Sequence, residues 1–134
     1  MVSKDMQDWV VLIVDDEPDN LGVAQKVLSY GGADVHIARN GLEGLAVLER
    51  IIPTFILLDL SMPEMDGWEM FEKTRANDGL KNVPIIALTA HAMAGDKERV
   101  LKAGFNGYIP KPFRINSFLD EIKRSLNDFF DVEA

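Results

Sequence analysis

Five short strand-like runs, each followed by a stretch of helical spacing, predict an α/β fold: one open parallel sheet, helices on both faces, right-handed crossovers. The strand characters set the order. Runs one, three and four are continuously apolar, as strands buried on both faces require, whereas run two alternates and run five is short, as edge strands are. That pattern fits the order 2-1-3-4-5, in which a site forms at the carboxyl ends of the strands, near the switch point between strands one and three.

Trp9-Val10-Val11-Leu12-Ile13-Val14 is the first strand, rich in β-branched residues, and it ends in Asp15-Asp16-Glu17. Pro18 suits a first helical turn, and Leu21, Ala24, Val27 and Leu28 recur at helical spacing until Gly31-Gly32 stops the helix. Asp34 to Ala38 alternates polar and apolar, a half-exposed edge strand. Asn40 with Glu43 is a capping pattern that opens a second helix through Leu42, Leu45 and Leu48, closed by Ile51-Ile52-Pro53. Phe55-Ile56-Leu57-Leu58 is the third strand, and it delivers Asp59 to a loop shaped by Pro63 and Asp66-Gly67. Asp66, with Glu69 three residues on, caps a third helix whose apolar face includes Trp68 and Phe71 and which ends near Asn77-Asp78-Gly79.

Val83 to Leu88 is the fourth strand, with Pro84 tolerated near its start, and Thr89 follows it. The fourth helix runs through Val100 and Leu101 to a C-cap at Gly104. Phe105 to Ile109 is the fifth strand, broken by Pro110-Lys111-Pro112; Ile115, Phe118, Leu119, Ile122, Leu126 and Phe129 then form the stripe of a long amphipathic fifth helix. No internal repeat, linker or low-complexity segment interrupts the alternation. The expected architecture is therefore a flavodoxin-like, doubly wound five-stranded sheet with five helices.

A chain of 134 residues suits one domain, expected over residues 9–130 between a polar arm at 1–8 and an acidic tail at 131–134. The absence of cysteine excludes a disulfide framework, a thiolate metal site and cysteine catalysis. A net charge of −8 argues against nucleic acid and anionic membrane surfaces as partners. Residues 1–8 lack the pattern of a signal peptide, and no apolar run approaches membrane-spanning length. The expectation is a soluble, cytoplasmic protein whose partners are proteins or cations. Because the chain ends soon after the fifth helix, no output domain is expected, and any output passes through protein contacts.

Alone, Asp59 reads as a turn or capping acid, and Asp15-Asp16 as solvated acids at a helix N-terminus. The strand order changes this by bringing all three to one end of the sheet. Carboxylates about 5 Å apart, at an effective dielectric near 20, repel by roughly 3 kcal/mol per pair, so a cation is called for. Oxygen ligands completed by water and phosphate suit Mg²⁺ better than Ca²⁺. Lys111 leaves strand five as a second positive charge, and Thr89 adds a hydroxyl donor. Such surroundings would neutralise a phosphoryl group attacked by Asp59, making it an acyl phosphate. Separately, Thr89, Lys111 and Tyr108 are ordinary strand-end or surface residues. His36 and His91 lie on different elements and predict no zinc site. Ser61 and His91, two residues beyond Asp59 and Thr89, are expected to tune water access and phosphate lifetime. Trp68 reads as packing.

Asp15-Asp16, Leu58-Asp59 with Met62-Pro63 and Asp66-Gly67, Thr89-Ala90, and Lys111-Pro112 together resemble the response-regulator receiver family of two-component signalling, across essentially the whole chain. The resemblance implies Asp59 as phosphoacceptor, Asp16 and the Ser61 carbonyl as direct Mg²⁺ ligands alongside Asp59, and Asp15 as a partner acting through water; Mn²⁺ could substitute. It implies Lys111 as the phosphoryl-pairing lysine, with a cis bond to Pro112. Thr89 becomes the switch hydroxyl, Ala90 the small neighbour that leaves room for the phosphoryl group, and Tyr108 the switch aromatic on the helix 4–strand 5–helix 5 face. The donor would be a histidine kinase or phosphotransfer protein, the target a downstream protein, and the chain a switch rather than a turnover enzyme. Phe105 departs from the family pattern, standing where a small residue is commoner. Three rival classes share part of this reading. A flavodoxin-like electron carrier is opposed by the acids after strand one; a Mg²⁺-dependent phosphohydrolase commonly has a second acid where Ser61 stands; a never-phosphorylated module would not need the full acid, threonine and lysine set.

Overall fold

A computed structural model describes residues 2–62, 65–90 and 96–130. Five parallel strands, β1 (Val10–Val14), β2 (Asp34–Ala38), β3 (Phe55–Asp59), β4 (Ile85–Thr89) and β5 (Gly107–Pro110), pair in the order β2-β1-β3-β4-β5. The helices are α1 (Pro18–Tyr30), α2 (Gly41–Leu48), α3 (Gly67–Ala76), α4 (Asp96–Ala103) and α5 (Ile115–Ser125). The expected fold class and strand order are both observed.

Successive strand residues point to opposite faces, so each central strand feeds two cores. Leu12, Val14, Ile56, Leu58, Ile85 and Ala87 meet α2, α3 and α4 through Val47, Leu48, Met70, Phe71 and Val100. Val11, Ile13, Phe55, Leu57, Ile86 and Leu88 meet α1 and α5 through Leu21, Ala24, Leu28, Phe118 and Ile122. This double burial explains the unbroken apolar runs of β1, β3 and β4. At the β2 edge Ile37 stays partly exposed.

Local signals hold at the helix ends. The Glu43 amide donates to Asn40 Oδ1 at 2.9 Å while Asn40 Nδ2 donates to Glu43 Oε2 at 3.1 Å, and the Glu69 amide donates to Asp66 Oδ1 at 2.9 Å. Pro18 is the first residue of α1, and Gly104 follows α4 with φ +109°. The apolar faces need correction. Leu42 is 53 % exposed, and α2 instead buries Gly41 and Gly44, where a Cβ would press on the Met65 and Met70 side chains. Ile115 is 68 % exposed, and Leu126 and Phe129 lie beyond the end of α5, Phe129 in a 3-10 turn at Asn127–Phe129. β4 begins after Pro84, which has no N–H to give, and β5 begins only after Phe105 has packed.

The N-terminal segment folds back onto the domain. Val2 is buried and bridges Phe130, its amide donating to the Phe129 carbonyl at 2.6 Å, and Trp9 Nε1 donates to the Ser3 carbonyl at 2.7 Å. Residues 2–8 are thus a strap held by Val2 and Met6. Pro63, His91 and the tail at 131–134 lie outside the described residues. Among the described residues no helix is long and apolar enough to cross a membrane.

Candidate functional site

The register of the sheet assembles the site. Val14 pairs with Leu58, so the next residues, Asp15 and Asp59, leave β1 and β3 side by side. Asp59 is level with Leu88, and Thr89 with Pro110, which places Thr89 and Lys111 at the same carboxyl end. The Lys111 amide donates to the Thr89 carbonyl at 2.7 Å, and the Lys111–Pro112 bond is cis, as expected.

Asp15, Asp16 and Asp59 each present a carboxylate oxygen to the others within 4.8 Å. Asp15 and Asp59 are 0 % and 2 % exposed, whereas Asp16 faces solvent. Each buried carboxylate is held by the amide two residues on: Glu17 N–H donates to Asp15 Oδ1 at 2.9 Å and Ser61 N–H to Asp59 Oδ1 at 3.1 Å. The other oxygens turn toward Lys111, whose Nζ lies 2.9 Å from Asp15 Oδ2 and 3.0 Å from Asp59 Oδ2. Both are ion-pair contacts made out of reach of solvent, with the one ammonium shared between the two carboxylates.

The electrostatics follow from that crowding. Burial, then the charge of Asp15, pushes the Asp59 carboxyl up to about 7, against the opposing pull of Lys111 and the Ser61 amide. Burial lowers Lys111, but the hydrogen-bonding and charge of Asp15 and then Asp59 outweigh it, so the ammonium is held above its ordinary range and stays charged. Three carboxylates that share a single ammonium, none of them accompanied by histidine or cysteine, fit a hard divalent cation.

The surrounding residues bound two hollows. One of about 500 Å³ is lined by Asp16, Leu60, Ser61, Met62, Asp66 and Trp68. Another of about 270 Å³ lies among Ser61, Trp68, Thr89, Asp96 and Arg99. Trp68 is common to both and also packs against the core, as expected for the apolar face of α3. Its ring meets Phe105 edge-on at 5.5 Å, Phe105 stacks on Phe71 at 4.1 Å, and the Arg99 guanidinium carbon sits 4.6 Å over the Trp68 ring. Phe105 is accommodated because α3 offers aromatic partners. Sequence reasoning missed Arg99; its only signal is its place one turn into α4, three residues after Asp96. Ala90 is exposed at the end of β4, and Tyr108 is half-buried on β5, its hydroxyl pushed up by burial and then by the charge of Asp96.

The response regulator receiver domain profile matches residues 11–123. The chain belongs to the response regulator receiver family. This receiver is similar to the polar-differentiation response regulator DivK of Brucella anthropi, 36 % identical over 118 residues that span 88 % of this chain and 96 % of DivK. It superimposes on the chemotaxis response regulator CheY4 of Vibrio cholerae with a TM-score of 0.82 and 28 % identity, covering 94 % of this chain and 100 % of CheY4. The receiver domain of the sensor histidine kinase PA1611 of Pseudomonas aeruginosa, which has a magnesium ion coordinated in its active-site cleft, matches with a TM-score of 0.78 and 34 % identity, covering 89 % and 98 % of the two chains. A receiver is a signalling domain of two-component systems, which pair it with histidine kinases, and not a turnover enzyme.

Proposed function

We propose that this receiver is a phosphorylation-dependent switch in which Asp59 accepts a phosphoryl group from a phosphohistidine on a histidine kinase or phosphotransfer protein. The observation that carries the reading is Asp59 itself: a buried carboxylate whose Oδ1 accepts from the Ser61 amide and whose Oδ2 faces the Lys111 ammonium at 3.0 Å, beside the acids Asp15 and Asp16. An Asp59 oxygen supplies the electron pair for a new P–O bond. The P–N bond of the donor breaks, its pair stays on the imidazole nitrogen, and that nitrogen remains neutral or takes a proton from solvent. Lys111 and the Thr89 hydroxyl receive the phosphoryl oxygens, and exposed Ala90 leaves them room.

Asp16, Asp59 and the Ser61 carbonyl would hold Mg²⁺ or Mn²⁺ directly, with Asp15 acting through water. When bound, the cation neutralises charge on the phosphoryl oxygens. The magnesium in the PA1611 cleft and the acidic trio here support this assignment. Thr89, drawn to the phosphoryl group, vacates space into which Tyr108 turns, which changes the α4–β5–α5 face read by a downstream protein. A complete 1:99 to 99:1 switch needs about 5.5 kcal/mol of differential stabilisation, within the range of a few charge-assisted hydrogen bonds. The acidic charge balance fits protein partners in the cytoplasm rather than nucleic acid or membrane.

The test is intact-mass analysis of wild type and Asp59→Asn after incubation with acetyl phosphate, with and without Mg²⁺. One phosphoryl increment is expected on wild type with Mg²⁺, and none on Asp59→Asn. Labelling of the variant, or none of wild type, overturns the reading.

A further inference from the structure

The site already described accounts for one cation on the protein, Lys111, and its charge is committed to Asp15 and Asp59. Three carboxylates and one ammonium leave two negative charges, which one divalent cation balances. Phosphorylation exchanges the single charge of Asp59 for up to about two on the phosphoryl group, so the balanced site becomes negative by up to about one charge. A further cation is wanted in that state and not before it.

Arg99 is placed to supply it. Together with Ser61 and Thr89, which flank Asp59 on the β3 and β4 sides, it lines the hollow of about 270 Å³. Asp96 lines the same hollow, yet no carboxylate lies within ion-pairing distance of Arg99 among the described residues. Arg99 instead rests on a ring face, 4.6 Å from Trp68. Arg75 makes the contrast. It also lies over a ring, Phe71, but its guanidinium is tied to the carbonyls of Leu80 and Val83 and to Asn106 Oδ1 at 3.3, 2.8 and 3.0 Å. A guanidinium on a partly exposed indole is weakly held, and its planar fork suits phosphoryl oxygens better than it suits a ring.

We propose that Arg99 is a phosphoryl-binding residue: stored on Trp68 while Asp59 is a free carboxylate, its guanidinium crosses the shared hollow and engages the phosphoryl oxygens once Asp59 is modified. This rests on the reading of Asp59 as phosphoacceptor. It makes Trp68 the resting place of a mobile cation, so departure of the guanidinium uncovers the indole.

The test is titration of wild type, Arg99→Gln and Arg99→Lys with beryllofluoride at saturating Mg²⁺, with Mg²⁺ alone titrated in parallel. Gln keeps part of the stem over Trp68 and removes the charge. Beryllofluoride affinity is expected to fall about tenfold in Arg99→Gln, as loss of one charge-assisted hydrogen bond gives, and less in Arg99→Lys. Affinity for Mg²⁺ alone should stay within about twofold, since the balanced site does not call on Arg99. Beryllofluoride should change Trp68 emission in wild type, and neither Trp68→Phe nor Arg99→Gln should show that change. Equal beryllofluoride affinity in wild type and Arg99→Gln overturns the proposal, as does an equal fall in affinity for Mg²⁺ alone, which would mark a structural role. Absence of beryllofluoride binding to wild type removes the phosphoacceptor reading and this inference with it.

Discussion

Asp59 is more costly to ionise in the folded receiver than in the unfolded chain, because burial and Asp15 hold its carboxyl near 7 against an ordinary 3.8. A carboxyl raised on folding gives stability that is fully present below its unfolded value and is lost as pH rises through its folded value. In metal-free protein, then, Asp59 withdraws stability between about pH 4 and pH 7. Asp59→Asn should be more stable than wild type above pH 7 in EDTA, on the order of 1 kcal/mol, because it removes the cost of burying the charge and the Asp15 repulsion, against the lost pull of Lys111. Urea midpoints should show that gain fading toward pH 4, and Mg²⁺ should cancel it. Gly67 carries a second residue-scale prediction. A Cβ there would collide with the Asp59 carbonyl and come within 2.8 Å of Leu60 Cα, both backbone atoms that cannot swing aside. Gly67→Ala should cost about 2–3 kcal/mol in urea denaturation and slow acetyl phosphate labelling, because the collision falls on the backbone of Asp59 itself.

The seam between α3 and α4 is where the elements depart most from the sequence reading. Phe105, in the turn entering β5, is buried between the rings of Phe71 and Trp68, both on α3. Phe105→Ala should therefore cost about 3–4 kcal/mol, the usual loss for a buried ring, and should also alter Trp68 emission. A surface ring would lose far less. The caps of α2 and α3 were legible in sequence because capping acts within four residues, as Asn40 and Asp66 show. The outward turn of Leu42 and Ile115 was not, since which side of a helix is covered depends on neighbours far along the chain, Met65 and Met70 in the case of α2.

At the scale of the molecule, four strands each contribute to one small volume: Asp15 after β1, Asp59 on β3, Thr89 on β4 and Lys111 after β5. A ligand that binds there binds only the folded state. Mg²⁺ at about a hundred times its dissociation constant should add about 2.7 kcal/mol of stability, or roughly 10 °C in Tm for a domain of this size. Differential scanning fluorimetry measures that shift directly, and Asp16→Ala should abolish most of it. At the opposite end of the sheet the Val2–Phe130 bridge closes the strap over the core, away from the site.

The chain by itself determined the fold class, the strand order and the identity of the acids, because continuous apolar runs, caps and strand-end carboxylates are local or periodic features. Residues 2–8 read as polar by composition, and burial of Val2 could not be read there, since it needs Phe129 and Phe130 from the far end of the chain. Only the tertiary structure decided that Asp15 and Asp59 are both buried against Lys111 while Asp16 is open, and that Trp68 and Arg99 line one hollow with Ser61 and Thr89. Spacing along a chain fixes which residues reach one end of a sheet. Distance, burial and the choice of partner arise only when separate strands and helices pack against one another.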